Sequence, residues 1–598
     1  MASSTPDTVS TKSKSNASNS ARYALTPLKK PKKGKPFSVG DIESRKWTEF
    51  LIIGHYDGET VSYFTNLKDF FAHVFAHPND TVFFHFGGIF DFLFLLGEIL
   101  ETPSLRLESL IPRGSGMLCF TVSDGHRSIH FRDSSALLPF SLRKLAENFG
   151  VETQKGKIDY EKIESVTPEL KKYLESDLLA LFQVLEKFYA SDIVKSAGPK
   201  TTIASQSLQI LRTYISKPIS SCPDAVDRFA RDSYAGGRTE IFRPLFTGPG
   251  ELRCYDINSL YPSVMQSNEF PGEFVGWSTK LDLERPGFHE VFVEVNEDVY
   301  APILWKKNPK FIFPVGRFWG VYSTVELRRA VLEGQARVLR HRQSAYFANA
   351  GRVFEHFVGD LYSRRKNSLS AVDRTIIKLV LNSCYGRIGL NLEKEGLELD
   401  YGQENVIPSF EVKHSKGTSR FVRTTVNLKS FSHPGIASYV TAFARLKNWE
   451  YLRRFESTIH YTDTDSFFTP EEHANSTNLG ELKLESLSPR ACFLLPKTYV
   501  AGKKVAMKGF SNRKIQHFQF EDFQTALEGD LKMLKIQVDS RMNRFRSAMK
   551  QGGLLNMSKA STKQIQSRYD KRILFRNNAG NWDSRPIVLN EKITDRGN

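Results

Sequence analysis

Tyr461-Thr462-Asp463-Thr464-Asp465-Ser466, with Ser457 to His460 before it and Phe467-Phe468 behind, reads as a β-hairpin carrying two acids. In a strand, residues i and i+2 point to one face, so Asp463 and Asp465 are expected to aim together. Side-by-side carboxylates repel unless a cation or a proton stands between them. Hard divalent cations such as Mg²⁺ take carboxylate oxygen. A surface turn whose Asp and Thr side chains cap backbone groups fits the same six residues.

Two upstream segments bear on that choice. Tyr255-Asp256-Ile257-Asn258-Ser259-Leu260-Tyr261-Pro262-Ser263 puts Asp256 after a short apolar strand and before a turn or helix. Two-metal phosphoryl transfer needs carboxylates from different segments to bridge the metals, and Asp256 with Asp465 would supply that bridge. Taken alone, the segment also fits an Asp that caps a helix. In Lys378-Leu379-Val380-Leu381-Asn382-Ser383-Cys384-Tyr385-Gly386-Arg387, the residues Lys378, Asn382 and Tyr385 share one helical stripe. Arg374 and Lys366 extend the stripe backwards. A cationic face ending in an aromatic ring suits a triphosphate and a base. A solvated basic face packed through Leu379 and Leu381 would look the same.

Taken in order, DxxSLYPS, KxxxNSxYG and YxDTDS resemble motifs A, B and C of the family B DNA polymerases. The resemblance implies that Asp256 and Asp465 are metal ligands supported by Asp463. It implies that Lys366, Arg374 and Lys378 face the incoming triphosphate, with Asn382 and Tyr385 bordering the nucleotide. Tyr261 resembles the family's steric gate, which implies dNTP over NTP. Other segments resemble the protein-primed branch found in small phages, adenoviruses and linear plasmids. Tyr234, Gly236 and Gly237 match its YxGG template contact, and Lys497 and Tyr499 its KxY primer contact, followed by Lys508-Gly509-Phe510. Ser141 and Leu142 match its SLxxh contact to single strand and terminal protein. The intervals from Ser263 to Lys378 and from Arg387 to Phe431 leave room for the branch's two insertions.

The N-terminal half adds a second acidic set. Asp41 and Glu43 alternate at a strand start, Asp91 follows the apolar run from Thr81, and Tyr173 and Asp177 share a helix face. Four carboxylates and a tyrosine suit a two-metal 3′–5′ exonuclease, and in family terms they match the three exonuclease motifs in order. One position departs from that pattern: the family's second motif reads His-Asn, whereas here His85 precedes Phe86. Hydrolysis is expected to survive with an altered grip on single strand.

Composition agrees with a polyanionic partner. Lys+Arg number 83 against 66 Asp+Glu, a net +17. Residues 1–38 carry eight basic residues and one acid, so +17 less +7 leaves +10 on the remainder. The five cysteines are scattered and form no CxxC pair, which points to reduced thiols in an intracellular setting. Thr81 to Leu100 is apolar, but His85, Asp91 and Glu98 argue against a membrane span. It reads instead as strand, turn and helix. Lys29 to Lys35 resembles a nuclear-import patch and equally suits a solvated tail, and a mitochondrial presequence fits less well.

The expected fold is α+β and multidomain, an RNase H-like 3′–5′ exonuclease domain followed by a right-hand palm, fingers and thumb. The expected divisions are a disordered basic tail over 1–36 and an exonuclease domain over 37–197. The palm is expected over 198–272 and 431–530, the fingers over 355–388, and insertions over 273–354 and 389–430. A thumb with Lys/Arg-rich helical character would occupy 531–598. The resemblance implies two Mg²⁺ per active site, with Mn²⁺ as a substitute. It implies primer–template DNA, dNTPs and a terminal protein as partners, and a single-stranded DNA-binding protein as a further one. The competing readings are a polymerase using an ordinary primer or none, and an inactive DNA-binding scaffold.

Overall fold

The computed structural model describes residues 23–47, 49–114, 116–151, 163–307, 310–400, 410–414, 417–427, 430–455, 458–510, 512–529, 535–540, 559–564 and 569–592. The N-terminal half is built on a ten-stranded sheet. At its heart Ser38–Arg45 pairs parallel with Thr81–Phe84 and antiparallel with Glu49–Tyr56. The register sets Asp41 opposite Gly54. A Cβ at Gly54 would lie 2.5 Å from Leu178 Cδ1, so only glycine lets the helix Pro168–Ala190 lie this close to the strand. That close approach brings Asp177, one residue before Leu178, over the strand bearing Asp41 and Glu43. The helix starts at Thr167, whose side chain accepts the Leu170 N–H at 3.2 Å, and has proline in its first turn. Its buried stripe of Leu170, Leu174, Asp177, Leu178 and Leu181 follows the helical period.

A hairpin turns at Asp57-Gly58. Glu49–Tyr56 pairs with Val61–Phe64, Gly58 has φ +108°, and Asp57 Oδ1 accepts the Glu59 and Thr60 N–H groups at 2.8 Å. Thr81 to Leu100 forms strand Thr81–Phe84, a short turn and helix Asp91–Glu101. Among the described residues no helix is long and apolar enough to cross a membrane. After Arg387 the described strands Glu393–Asp400, Phe410–His414 and Gly417–Asn427 extend the N-terminal sheet: Leu397 pairs with Leu110.

A second, five-stranded sheet has the order Leu482–Ser488, Leu252–Ile257, Ser466–Thr469, Tyr461–Asp463, Thr239–Ile241. The helix Pro434–Arg454 is part of the core that this sheet's strands share. It is buried on most sides, and its buried face includes the polar Ser438, Thr441, Arg445 and Asn448. Residues 271–349 supply four strands of a third sheet, and its fifth, Val588–Asn590, comes from the C-terminal region and pairs parallel with Val315–Ser323.

Three expectations need correction. Residues 23–36 are not a free tail. Leu25 is 3 % exposed and exchanges backbone hydrogen bonds with Ile219, Leu28 bonds Arg212, and Lys35 pairs with Asp80 at 2.9 Å. The apolar residues scattered among the lysines find a place in the core, which composition alone hides. Residues 1–22 lie outside the described residues. Lys366 leaves the stripe of Lys378 because the helix breaks at 368–370, which puts it on Glu355–Asn367 rather than Ala371–Ile388. The C-terminal part is not helical where it is described: Lys535–Ser540, Lys559–Gln564, Ile573–Arg576, Trp582–Arg585 and Val588–Asn590 are strands. Cross-strand pairing supplies a stabilisation that the basic composition does not reveal.

Candidate active sites

Strand Leu252–Ile257 and the hairpin strand Ser466–Thr469 are neighbours, with Asp256 opposite Ser466. The Ile257 N–H bonds the Asp465 carbonyl at 2.7 Å, so the two acid-bearing segments meet at the sheet's end. The hairpin turn is tighter than expected. Asp463 ends one strand, Ser466 begins the next, and Asp465 N–H reaches back to the Asp463 carbonyl at 2.8 Å. Asp463 and Asp465 therefore do not alternate along one strand. Asp463 ends the strand, whereas Asp465 is the second residue of the turn itself, after Thr464 at φ +66°.

The two acids divide the work. Lys497 Nζ meets Asp463 Oδ1 at 2.9 Å, and Thr239 Oγ1 donates to the same oxygen at 3.2 Å. Asp465 is held above the ordinary carboxylate range by burial and by the charge of Asp463. Asp256 is pushed up to about 7, chiefly by burial and then by Asp465. Among the described residues no three His, Cys, Asp or Glu side chains already form a metal cage. The donor set still suits a hard cation: two half-buried carboxylates, each raised by its neighbour's charge, are relieved by a divalent ion between them.

Several close contacts fix the turn. A Cβ at Gly237 would lie 2.5 Å from Thr464 Cγ2, and Thr464 N–H bonds the Arg238 carbonyl at 2.7 Å. Gly237 of the YAGG segment is thus what lets that loop cross the Asp463–Ser466 turn; Gly236 has no such neighbour. Asn448 Nδ2 bonds Thr462 Oγ1 at 2.9 Å and the Thr464 carbonyl at 3.1 Å. Arg445, 2 % exposed, donates to the Ala235 and Gly236 carbonyls at 2.7 and 3.0 Å while pairing with the equally buried Glu326. Lys306 Nζ bonds the Tyr234 carbonyl at 2.7 Å. Sequence reading missed Arg445, Asn448, Glu326 and Lys306. The one available signal was an arginine inside the apolar run around Phe443 and Leu446.

On helix Ala371–Ile388, Arg374, Lys378 and Asn382 are exposed on one face, while Ile376, Ile377, Val380, Leu381 and Cys384 are buried on the other. Arg374 Nη1 bonds the Ser368 carbonyl at 2.7 Å across the helix break. Lys378 lies close enough to Asp256 for its charge to oppose the rise in that carboxyl. Tyr385, one turn on, stacks on Tyr261 with ring centroids 4.5 Å apart and planes 24° apart. Tyr499 is buried in an aromatic cluster with Tyr461, Phe468 and Phe493, so its ring supports the hairpin from behind.

The N-terminal acids line a cavity of about 450 Å³ with His85, Phe86, Ser141 and Leu142. Asp41, Glu43, Asp91 and Asp177 are all on its wall, whereas Tyr173 is buried one turn before Asp177. Asp91 opens its helix at 3 % exposure and accepts the Ile42 N–H at 3.0 Å. Its carboxyl is pushed up to about 7, mainly by burial. Ser141 caps the helix Leu142–Phe149 through the Lys144 N–H. Phe86 adopts a left-handed conformation at φ +59°, held by its N–H to Asp133 Oδ1 at 3.0 Å, and is 37 % exposed. Asp133, which also accepts the Gly88 and Ser135 N–H groups, was not singled out in the sequence.

Comparisons with known proteins agree with this geometry. The family model described as DNA polymerase type B, organellar and viral, matches residues 73–167 and 164–433. A probable DNA polymerase of Podospora anserina is 26% identical over 561 residues, covering 77% of this chain and 46% of the relative. The DNA-directed DNA polymerase of Enterobacteria phage PRD1 is 26% identical over 510 residues, covering 82% and 84%. The chain spans about half the length of the fungal relatives it matches. A structure of phi29 DNA polymerase complexed with primer-template DNA and incoming nucleotide substrates superposes with a TM-score of 0.70 at 21% identity, over 89% of this chain and all of that one. That likeness establishes a shared fold of exonuclease and right-hand polymerase parts. With the family model spanning more than half of the sequence, the chain belongs to the organellar and viral type B DNA polymerases.

Proposed function

We propose that the chain is a DNA-directed DNA polymerase with a 3′–5′ proofreading exonuclease, copying a linear viral or plasmid genome from a terminal-protein primer. The observation that carries the polymerase reading is the meeting of Asp256 with Asp465 at one sheet end, beside Lys378 and the Tyr261–Tyr385 stack. Asp256 and Asp465 would hold two Mg²⁺, with Mn²⁺ as a substitute. When bound, the ions lower the charge barrier to attack by the primer 3′-oxygen and to departure of pyrophosphate. Lys378 and Arg374 grip the triphosphate, and Tyr261 lies under the sugar to exclude a 2′-hydroxyl. Lys497, which pairs with Asp463, would contact the primer end. Asp41, Glu43, Asp91 and Asp177 would hold the exonuclease metals, while Phe86 alters how the cleft grips single strand. Protein priming is supported by the inserted sheet over 271–349 and by the second insertion that extends the N-terminal sheet.

The test is incubation of the purified chain with a labelled primer–template and Mg²⁺, with and without dNTPs, beside Asp465→Ala and Asp41→Ala. Extension with dNTPs and shortening without them are expected. Asp465→Ala should lose only extension and Asp41→Ala only shortening. Extension that survives Asp465→Ala would refute the assignment of the polymerase site.

A further inference from the structure

We infer that the segment Tyr569–Ser584 is a strap that positions the polymerase acids, acting through the strand Thr239–Ile241. This strand is the outer edge of the five-stranded sheet, and its inner side pairs with the hairpin strand, Thr239 opposite Asp463. A free strand edge leaves N–H and C=O groups that ask for partners. Among the described residues no further strand supplies them; side chains of the strap do. Tyr569 Oη accepts the Ile241 N–H at 2.9 Å, Lys571 Nζ donates to the Thr239 carbonyl at 2.9 Å, and Ser584 Oγ donates to the Ile241 carbonyl at 3.2 Å.

Two routes lead from this edge to the acids. Thr239, held through its carbonyl by Lys571, donates its own hydroxyl to Asp463. Arg572 lies 4.0 Å from the buried Glu240, Glu240 pairs with Arg238 at 2.6 Å, and the Arg238 carbonyl accepts the N–H of Thr464 at the tip of the catalytic turn. Arg572 is anchored on its other side to the Val299 carbonyl and to Ser584 Oγ, each at 2.9 Å. A few residues on, Val588–Asn590 joins the inserted sheet. Shifting the strap therefore shifts the edge strand and, with it, the side chain and backbone partners of Asp463 and Thr464. None of these residues touches the reacting atoms, so Tyr569 and Lys571 are positioning residues.

The inference rests on the polymerase reading and is tested in the full chain with Tyr569→Phe, Lys571→Met and Lys571→Arg. Tyr569→Phe keeps the ring and removes only the hydroxyl. Single-turnover insertion should fall about tenfold to a hundredfold in Tyr569→Phe and Lys571→Met, the scale expected of misplaced reacting groups. The KM for dNTP should be little changed. Lys571→Arg, which keeps a donor, should recover most of the rate. Hydrolysis of single-stranded primer and the Tm should match the wild type in every variant. Unchanged insertion rates, or insertion, hydrolysis and Tm falling together, would overturn the inference. A wild type that does not extend the primer sinks the polymerase reading and this inference with it. An extending wild type whose variants extend equally well sinks only the inference.

Discussion

Tyr261 and Tyr385 come from segments more than a hundred positions apart, yet they lie ring on ring at 4.5 Å beside the acids. Stacking locks the Tyr261 ring in place, which a side chain that discriminates by bulk needs. Tyr261→Ala should leave dNTP insertion largely intact and lower the ratio of kcat/KM for dNTP over NTP by roughly one to two orders of magnitude. Single-nucleotide insertion kinetics measure that ratio, and an unchanged ratio would exclude Tyr261 as the gate. The roles of Asp463 and Asp465 were less legible at this scale. Strand alternation puts them on one face, but Asp463 ends the strand while Asp465 sits in the two-residue turn, and Lys497, 34 positions from Asp463, takes Asp463. Which acid an amine reaches across that separation is a matter of folding, not of local period.

Helices were the most legible elements because their period is local. The shared faces of Tyr173 with Asp177 and of Lys378 with Asn382 could be read locally, but the break between Glu355–Asn367 and Ala371–Ile388 could not. The link between helix Pro434–Arg454 and the YAGG loop could not. It depends on Arg445 and Glu326, both nearly inaccessible to water and 2.8 Å apart. Glu326→Ala would leave the guanidinium buried without its countercharge, at a cost of about 3–5 kcal/mol. Urea unfolding should show that loss. Replacing both partners with apolar residues, as in Glu326→Leu with Arg445→Met, should recover much of the stability, although the loop carbonyls of Ala235 and Gly236 would then lack their donor. A single variant as stable as the wild type would contradict the buried pair.

Across the whole molecule, buried histidines tie stability to pH. His55 and His289 are lowered to about 3 and His460 to about 4, each mainly by burial. All three are neutral in the fold, while in the unfolded chain they take up protons below about 6.5. Their contribution is therefore complete above that pH and drains away as pH falls from about 6.5 toward the folded values. Asp91 and Asp256, raised to about 7, act in the opposite sense over the same range, so the histidine contribution is read as a difference. The Tm of the wild type minus that of His289→Gln should shrink between about pH 7.5 and pH 5; a constant difference would contradict the neutral burial of His289. At this scale the order of the acidic motifs and the helical stripe of Arg374, Lys378 and Asn382 were determined by the sequence itself, since spacing and periodicity record which residues share a face. Only the tertiary structure decided what each face and edge meets: that Glu393–Asp400, Phe410–His414 and Gly417–Asn427 extend the N-terminal sheet, that Leu25 joins the core, and that Tyr569 and Lys571 close the edge of Thr239–Ile241. Those pairings join segments up to 332 residues apart. A sheet edge accepts any partner with matching donors and acceptors, so no local pattern names the one it receives.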